Sequence, residues 1–223
     1  MRSIFFDKIL NVRDIGGYNS ELGIIKYDQV IRGQAPLDIT FSDKNKLEKL
    51  NMDIIDIRSS FEKENKKTCF DNYYNINLHK TRWPKSEKDI PLTYMEVIED
   101  YDNINKIFNI ISSSNKKIYI FCGLGKDRTG VIIMLLLLLC KVREEDIIAD
   151  YALSDVYLNK FYNYYHEKNP HSPKYLGRAK PEYMRETIKL FLEKYGSIES
   201  YFQKVGLSIE EINKLREKMI SCE

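Results

Sequence analysis

Apolar positions in this chain follow two rhythms. Over 94–112 they recur at Tyr94, Val97, Ile98, Tyr101, Ile104, Ile107, Phe108 and Ile111, the i, i+3, i+4, i+7 spacing of one helical face. The spacing predicts a helix over 94–112. Shorter runs at 52–57, 74–78 and 117–121 lack that period and read as strands, the first and last of them buried. Thr40 or Ser42 can cap a helix over 43–50, with Leu47 and Leu50 on one face and Asn51 ending it. The run from Val131 to Cys140 is apolar throughout and predicts a buried helix over 129–142; at 10 residues it is half of the ~20 needed to cross a bilayer. Between Asn11 and Arg32, Gly16-Gly17, Gly23 and short apolar pairs predict small strands and tight turns at the edge of a sheet. Beyond Ser154 the pattern is helical, broken at 169–173, with further helices over 182–194, 198–205 and 208–219. Pro181 suits a first helical turn, Ser197 and Ser208 suit caps, and Gly196 and Gly206 suit ends. Helices alternating with buried strands imply an α/β architecture.

Composition narrows the class. The 223 residues are 43% hydrophobic and 30% charged, which suits a soluble globular chain with a sizeable core. Length and pattern fit one domain over 1–223, its core about 1–154 and a helical part about 155–223. Thirty-five basic residues against 33 acidic ones leave a scattered +2, which disfavours nucleic acid as a partner. Cys69, Cys122, Cys140 and Cys222 form no CxxC pair, and His79, His166 and His171 stand near none of them. No metal site or disulfide scaffold is expected. The first residues lack the apolar stretch of a secretory signal, so the expected location is the cytoplasm.

The chemistry concentrates where the strand ending at Phe121 meets the apolar helix, through Cys122-Gly123-Leu124-Gly125-Lys126-Asp127-Arg128-Thr129-Gly130. Glycines let successive N–H groups turn inward as an anion nest, and the helix adds its positive end. Arg128 offers a planar fork for two oxygens of a transferring phosphoryl group. Beside Lys126, Arg128 and a helix N-terminus, the Cys122 thiol is expected to ionise near neutral pH and act as nucleophile. The bland alternative is a buried strand-end thiol, but glycines at +3 and +8 and arginine at +6 rarely coincide by chance. A nucleotide-triphosphate loop would need Ser or Thr where Asp127 follows Gly125-Lys126, and Gly130 is misplaced for a dinucleotide fingerprint.

With these residues the chain resembles the atypical bacterial tyrosine phosphatases of the CxxGKDRTG type, whose loop is also similar to that of phosphoinositide phosphatases. Asn11-Val12-Arg13-Asp14-Ile15-Gly16-Gly17-Tyr18 resembles the family's N-terminal motif, Ile55-Asp56-Ile57-Arg58-Ser59 with Glu62 resembles its second, and Glu182–Met219 is similar to its C-terminal stretch. The resemblance implies a phosphatase-like α/β fold, a central, mostly parallel sheet flanked by helices with a C-terminal helical cluster. It makes Cys122 the nucleophile, Arg128 the transition-state arginine, Lys126 the loop lysine and Asp127 the general acid, with Thr129 stabilising the thiolate. Gly123, Leu124, Gly125, Lys126, Thr129 and Gly130 would hold the phosphate, and Arg13, Asp14, Asp56 and Arg58 would brace the site, Arg58 within reach of substrate phosphate. Phosphotyrosine in a protein is the leading substrate, with phosphoserine, phosphothreonine and phosphoinositides as further classes and inorganic phosphate as product; no cofactor is implied.

Asp127 must carry a proton before it can donate one, so activity is expected to favour mildly acidic pH; the alternative is a carboxylate that braces Arg128. Two positions depart from the family. Phe121 stands where a histidine usually precedes the nucleophile, and in Arg82-Trp83-Pro84-Lys85 a lysine stands where related loops carry an aspartate acid. Asp89 is a reserve acid, with a solvated loop carboxylate as its other reading. These departures motivate a rival reading, a non-catalytic phosphate-binding module. A thiol redox enzyme or sulfurtransferase using Cys122 fits less well, since Arg128 and Thr129-Gly130 suit a tetrahedral dianion. Cys69 and Cys140 read as inert, Cys69 with a redox role as the alternative. The tyrosines over 157–165 read as a half-buried helix face, with a substrate wall as the alternative.

Overall fold

The computed structural model describes residues 2–63, 72–78 and 84–221. The expectations at Cys69, His79, Arg82, Trp83 and Cys222 lie outside the described residues.

The strands are β1 (Arg13–Asp14), β2 (Asn19–Ser20), β3 (Gly23–Ile25), β4 (Val30–Gln34), β5 (Asp53–Asp56), β6 (Tyr73–Asn75), β7 (Ile118–Cys122) and β8 (Ile220–Ser221). The helices are α1 (Phe41–Leu50), α2 (Ser60–Lys63), α3 (Ile90–Ile98), α4 (Tyr101–Ser113), α5 (Asp127–Leu139), α6 (Glu144–Lys168), α7 (Pro181–Tyr195), α8 (Ile198–Val205) and α9 (Ile209–Met219). The main sheet has the order β1-β4-β7-β5-β6. β4, β7, β5 and β6 pair in parallel, and β1 pairs antiparallel at the edge. β2, β3 and β8 form a small antiparallel sheet beside it. This is the mostly parallel α/β arrangement expected.

Both faces of the main sheet are covered, and the two-residue period of a strand divides its side chains between them. Ile118, Ile120 and Cys122 of β7, with Ile55 of β5, face the larger core under α3–α9. Tyr119 and Phe121 of β7, with Ile54 of β5, face the smaller core under α1. The two faces therefore give Cys122 and Phe121 different surroundings although they adjoin in sequence.

Local signals placed most elements. Thr40 caps α1 by accepting from Asp43 N, and Asn51 ends it in the left-handed region. Ser197 and Ser208 cap α8 and α9. The helix expected over 94–112 is instead two, α3 and α4, parted at Glu99-Asp100. Asp100 leaves helical geometry at ψ 63°, and its carboxylate accepts from Asn103 Nδ2 at 2.9 Å. The ladder itself is interrupted, since Tyr101 N bonds to Glu99 O at 2.9 Å rather than to Val97 O, an interruption that an apolar period does not register. The apolar helix ends at Leu139 rather than 142, because Lys141 turns into positive φ at 57°. The long helix α6 starts ten residues before Ser154 and runs through it. No helix among the described residues is long and apolar enough to cross a membrane.

Candidate active site

β7 ends at Cys122 and α5 begins at Asp127, so the segment between them turns at the carboxyl edge of the parallel strands, where open α/β sheets hold ligands. Gly125 has φ 65°, and a Cβ there would lie 2.0 Å from Gly33 O on β4. The turn therefore needs glycine twice over, for its left-handed backbone and for its contact with the neighbouring strand.

Every carbonyl from 122 to 126 is drawn away from the mouth of this turn. Ala35 N donates to Cys122 O at 3.1 Å and to Gly123 O at 3.2 Å. Asn11 Nδ2 donates to Leu124 O at 3.0 Å and Gly125 O at 3.1 Å. Arg32 Nη2 donates to Gly125 O at 2.8 Å and more loosely to Lys126 O at 3.4 Å. A planar trans peptide carries its C=O and the following N–H on opposite sides. The N–H groups of Gly123, Leu124 and Gly125 accordingly take no protein acceptor among the described residues, and that of Arg128, in the first turn of α5, takes none there either. The result is an anion nest at the N-terminus of α5.

Above the nest lies a cavity of about 370 Å³ into which Cys122, Asp127 and Arg128 all open. Its walls include Pro84, Ile90, Phe161, Tyr162, Tyr165 and Tyr175. Of the tyrosines over 157–165, Tyr162 and Tyr165 line this cavity, whereas Tyr157 and Tyr164 do not. A larger open hollow of about 700 Å³ lies beyond Tyr162, between Asp155, Asn159, His166 and Arg178. Cys122 does not line it.

Arg128 is held by Glu62, its Nη1 donating to Oε2 at 2.7 Å and its Nη2 to Oε1 at 2.5 Å. Nη1 also reaches Ile57 O and Leu78 O. Burial favours neutral forms of both partners, but the pairing outweighs it. The Glu62 carboxyl is held down at about 2, and the guanidinium is pushed above its ordinary value. Ser59 aims the carboxylate, its N and Oγ donating to Glu62 Oε2 at 2.8 and 2.7 Å. This Ser-x-x-Glu bonding pattern was legible in the sequence, although its consequence for Arg128 was not. The carboxylate that braces the arginine is Glu62.

Asp127 accepts from Tyr94 Oη at 2.5 Å, and the hydroxyls of Tyr94 and Tyr151 lie 2.7 Å apart. Because Tyr94 gives its proton to the carboxylate, Tyr151 donates to Tyr94. Both rings are fully buried, and burial raises both phenols well above their ordinary value. Gly130 lets Tyr151 in, since a Cβ at 130 would stand 3.0 Å from its ring.

The remaining expected residues divide by role. Lys126 is 4% exposed; its Nζ donates to Arg178 O at 3.0 Å, stands 3.6 Å from Asp127 Oδ1 and lies over the Tyr162 ring. Thr129 is fully buried, and its hydroxyl has no hydrogen-bond partner among the described residues, so the bond to the Cys122 sulfur implied by the resemblance is not formed here. Arg58 is turned back on Asp56, with Nε and Nη2 on its carboxylate, and is buried. Phe121 packs between this guanidinium, 5.6 Å from its centroid, and the Tyr119 ring at 5.3 Å. Asp14 accepts from Gly16 N and Asp28 N, bracing two turns of the N-terminal segment. Asp89 accepts from Lys85 N and Ser86 N and caps a short turn before α3. Lys85 is exposed, while Pro84 reaches the cavity. Burial pushes the Cys140 thiol up to about 12, consistent with an inert core position.

Arg32 and Asp150 were not singled out from sequence. Asp150 is fully buried, with Arg13 Nε at 3.1 Å and Arg32 Nη1 at 2.6 Å. Burial raises its carboxyl pKa, but the two guanidiniums outweigh that and hold it below the usual carboxylate range. A signal existed: an acid on the face of α6 that also carries Ile147, Tyr151 and Ser154 inward.

Comparison with known proteins agrees with this architecture. The chain is 25% identical over 176 residues to a provisionally named tyrosine-protein phosphatase of Cupriavidus necator, covering 67% of this chain and 62% of that one. It is 28% identical over 129 residues to a tyrosine-protein phosphatase of Nostoc commune, covering 51% and 43%. It thus spans less than two thirds of either relative. The model of the tyrosine phosphatase family, by contrast, matches from residue 4 to residue 221. That span takes in the nest, the guanidinium–carboxylate pairs and every helix around them, and on it the chain belongs to the tyrosine phosphatase family.

Proposed function

We propose that the protein hydrolyses phosphomonoesters through a phosphocysteine, with phosphotyrosine as the preferred substrate. The observation that carries the reading is the convergence of Cys122, Arg128 and Asp127 on one cavity over a nest of backbone N–H groups. The Cys122 thiolate attacks phosphorus as the P–O bond to the leaving group breaks, and Asp127 gives the departing oxygen its proton. Arg128, oriented by Glu62, and the nest hold the equatorial oxygens. Water then attacks the phosphocysteine, returning a proton to Asp127, the thiolate to Cys122 and phosphate to solution.

The aromatic wall supports an aryl phosphate, since Phe161, Tyr162, Tyr165 and Tyr175 suit a ring above the phosphate. Lys126 was the reason to consider phosphoinositides, and its burial against Arg178 O makes it a poor receptor for a second phosphate. Dual specificity and lipid substrates rank below phosphotyrosine on this ground.

Turnover of para-nitrophenyl phosphate, followed by a panel of phosphopeptides and phosphoinositides, tests the reading. Vanadate-sensitive release is expected in the wild type and none in Cys122→Ser, which retains substrate. Reversible phosphate binding without release would sink the enzyme reading in favour of a binding module.

A further inference from the structure

The nest is set from beneath by a buried hub that touches no substrate. Asp150 projects from α6 and collects two guanidiniums, and each passes its orientation on to the loop. Arg32 does so directly: Nη1 lies 2.6 Å from Asp150 Oδ2, while Nη2 donates to Gly125 O and Lys126 O. Arg13 does so through a side chain. Its Nε and Nη2 bond to Asp150, its Nη1 donates to Asn11 Oδ1 at 2.5 Å, and Asn11 Nδ2 then donates to Leu124 O and Gly125 O. Tyr18 Oη adds a bond to Asp150 Oδ1 at 3.2 Å. Arg13, Arg32 and Asp150 are each no more than 1% exposed, so solvent does not compete for these bonds.

We propose that Asn11, Arg32 and Asp150 are positioning residues that set the anion cradle by fixing the carbonyls of Leu124, Gly125 and Lys126. The inference rests on the proposed role of the loop in holding phosphate. Planarity of the peptide converts each fixed carbonyl into a fixed direction for the next N–H. Carbonyls tied from one side turn the N–H groups that follow them to the other, among them that of Gly125, which takes no protein acceptor among the described residues. The geometry needs a guanidinium, because one flat fork must meet a carboxylate and a carbonyl at once, which an ammonium on a single stem cannot do. The hub adds charge as well as shape. Two buried cations against one carboxylate leave a net positive charge beneath the site, where it favours a dianion. Asn11 itself sits at φ 60°, a backbone that asparagine tolerates better than most residues.

Tungstate binding by calorimetry and para-nitrophenyl phosphate kinetics on the full chain test this, using Arg32→Lys, Asn11→Gly and a control, Asp43→Asn. Lysine keeps the charge beside Asp150 but loses the reach to Gly125 O, and glycine keeps the backbone of residue 11 while removing the amide. Asp43 is equally buried and accepts from Asp7 N and Lys8 N near α1, so its loss measures general destabilisation. At a temperature where melting curves show all proteins folded, tungstate affinity and kcat are expected to fall about 10- to 100-fold in both hub variants, with kcat falling more than KM rises. Asp43→Asn keeps both. Wild-type tungstate affinity and kcat in folded Arg32→Lys and Asn11→Gly, or an equal fall in Asp43→Asn, overturns the proposal. If Arg32→Lys does not fold, Asn11→Gly decides alone. A wild type that binds tungstate without hydrolysing ester refutes the enzyme reading and leaves the binding comparison valid, whereas one that binds no tungstate refutes both.

Discussion

Glu62 and Tyr94 divide the work of orienting Arg128 and Asp127, the side chains that the proposed mechanism uses. The Glu62 carboxylate takes both terminal nitrogens of Arg128 from one side, which presents the rest of the guanidinium to the cavity. With its carboxyl held at about 2, Glu62 stays ionised across any practical assay range and contributes no limb to a pH profile there. In the proposed mechanism Asp127 gives up a proton during turnover, and it accepts the hydrogen bond of Tyr94, a bond that a carboxylate accepts better than a neutral carboxyl does. A general acid must be protonated, so activity declines as pH rises past the point where Asp127 loses its proton. Tyr94→Phe removes the donor and is expected to move that alkaline limb to higher pH, as read from kcat/KM against pH. An unchanged limb would mean that Asp127 is not the acid or that Tyr94 does not tune it.

Helix α6 serves the site twice along its length. Its first half carries Asp150 and Tyr151 behind the loop, and its second carries Phe161, Tyr162 and Tyr165 onto the cavity wall. A continuous helix keeps these two sets in fixed relation, since each residue adds a constant rise and rotation. The loop glycines differ in what they require. Gly125→Ala would place a methyl 2.0 Å from a backbone oxygen at positive φ, whereas the nearest atom to a Cβ at Gly123 is Glu62 Oε1 at 3.7 Å. Gly125→Ala is therefore expected to lower Tm and abolish tungstate binding, and Gly123→Ala to keep both. Thermal melts with and without tungstate check the pair; equal behaviour would contradict the close packing of the loop on β4.

The Asp150 hub ties the N-terminal segment, β4, the loop and α6 into one unit, so its charge state bears on the stability of the whole fold. Its folded carboxyl pKa lies below the ordinary 3.8, so the native state binds fewer protons than the unfolded one at low pH. The stabilisation is fully present above the ordinary value and is lost as pH falls through the lowered one. Urea midpoints of the wild type should therefore drop as pH goes from about 5 toward 3, and those of Asp150→Asn should drop less. At neutral pH, Asp150→Asn should cost about 3–5 kcal/mol, because two buried guanidiniums lose their counter-charge. Much of this protein is legible in its sequence. Cys122, Gly125 and Arg128 adjoin in sequence, and local rules place them on a strand end, a turn and a helix start. Apolar period and caps likewise located α1, α5, α8 and α9, because those signals act within a few residues. The break at Asp100 was hidden because the backbone leaves the helical ladder there without disturbing the apolar period. Glu62 on Arg128, Tyr94 on Asp127, and Asp150 between Arg13 and Arg32 join residues far apart in the chain. A linear sequence specifies which charges exist, but their pairing is settled by burial, which makes an unpartnered charge too costly to keep and so selects the partner that folding brings near.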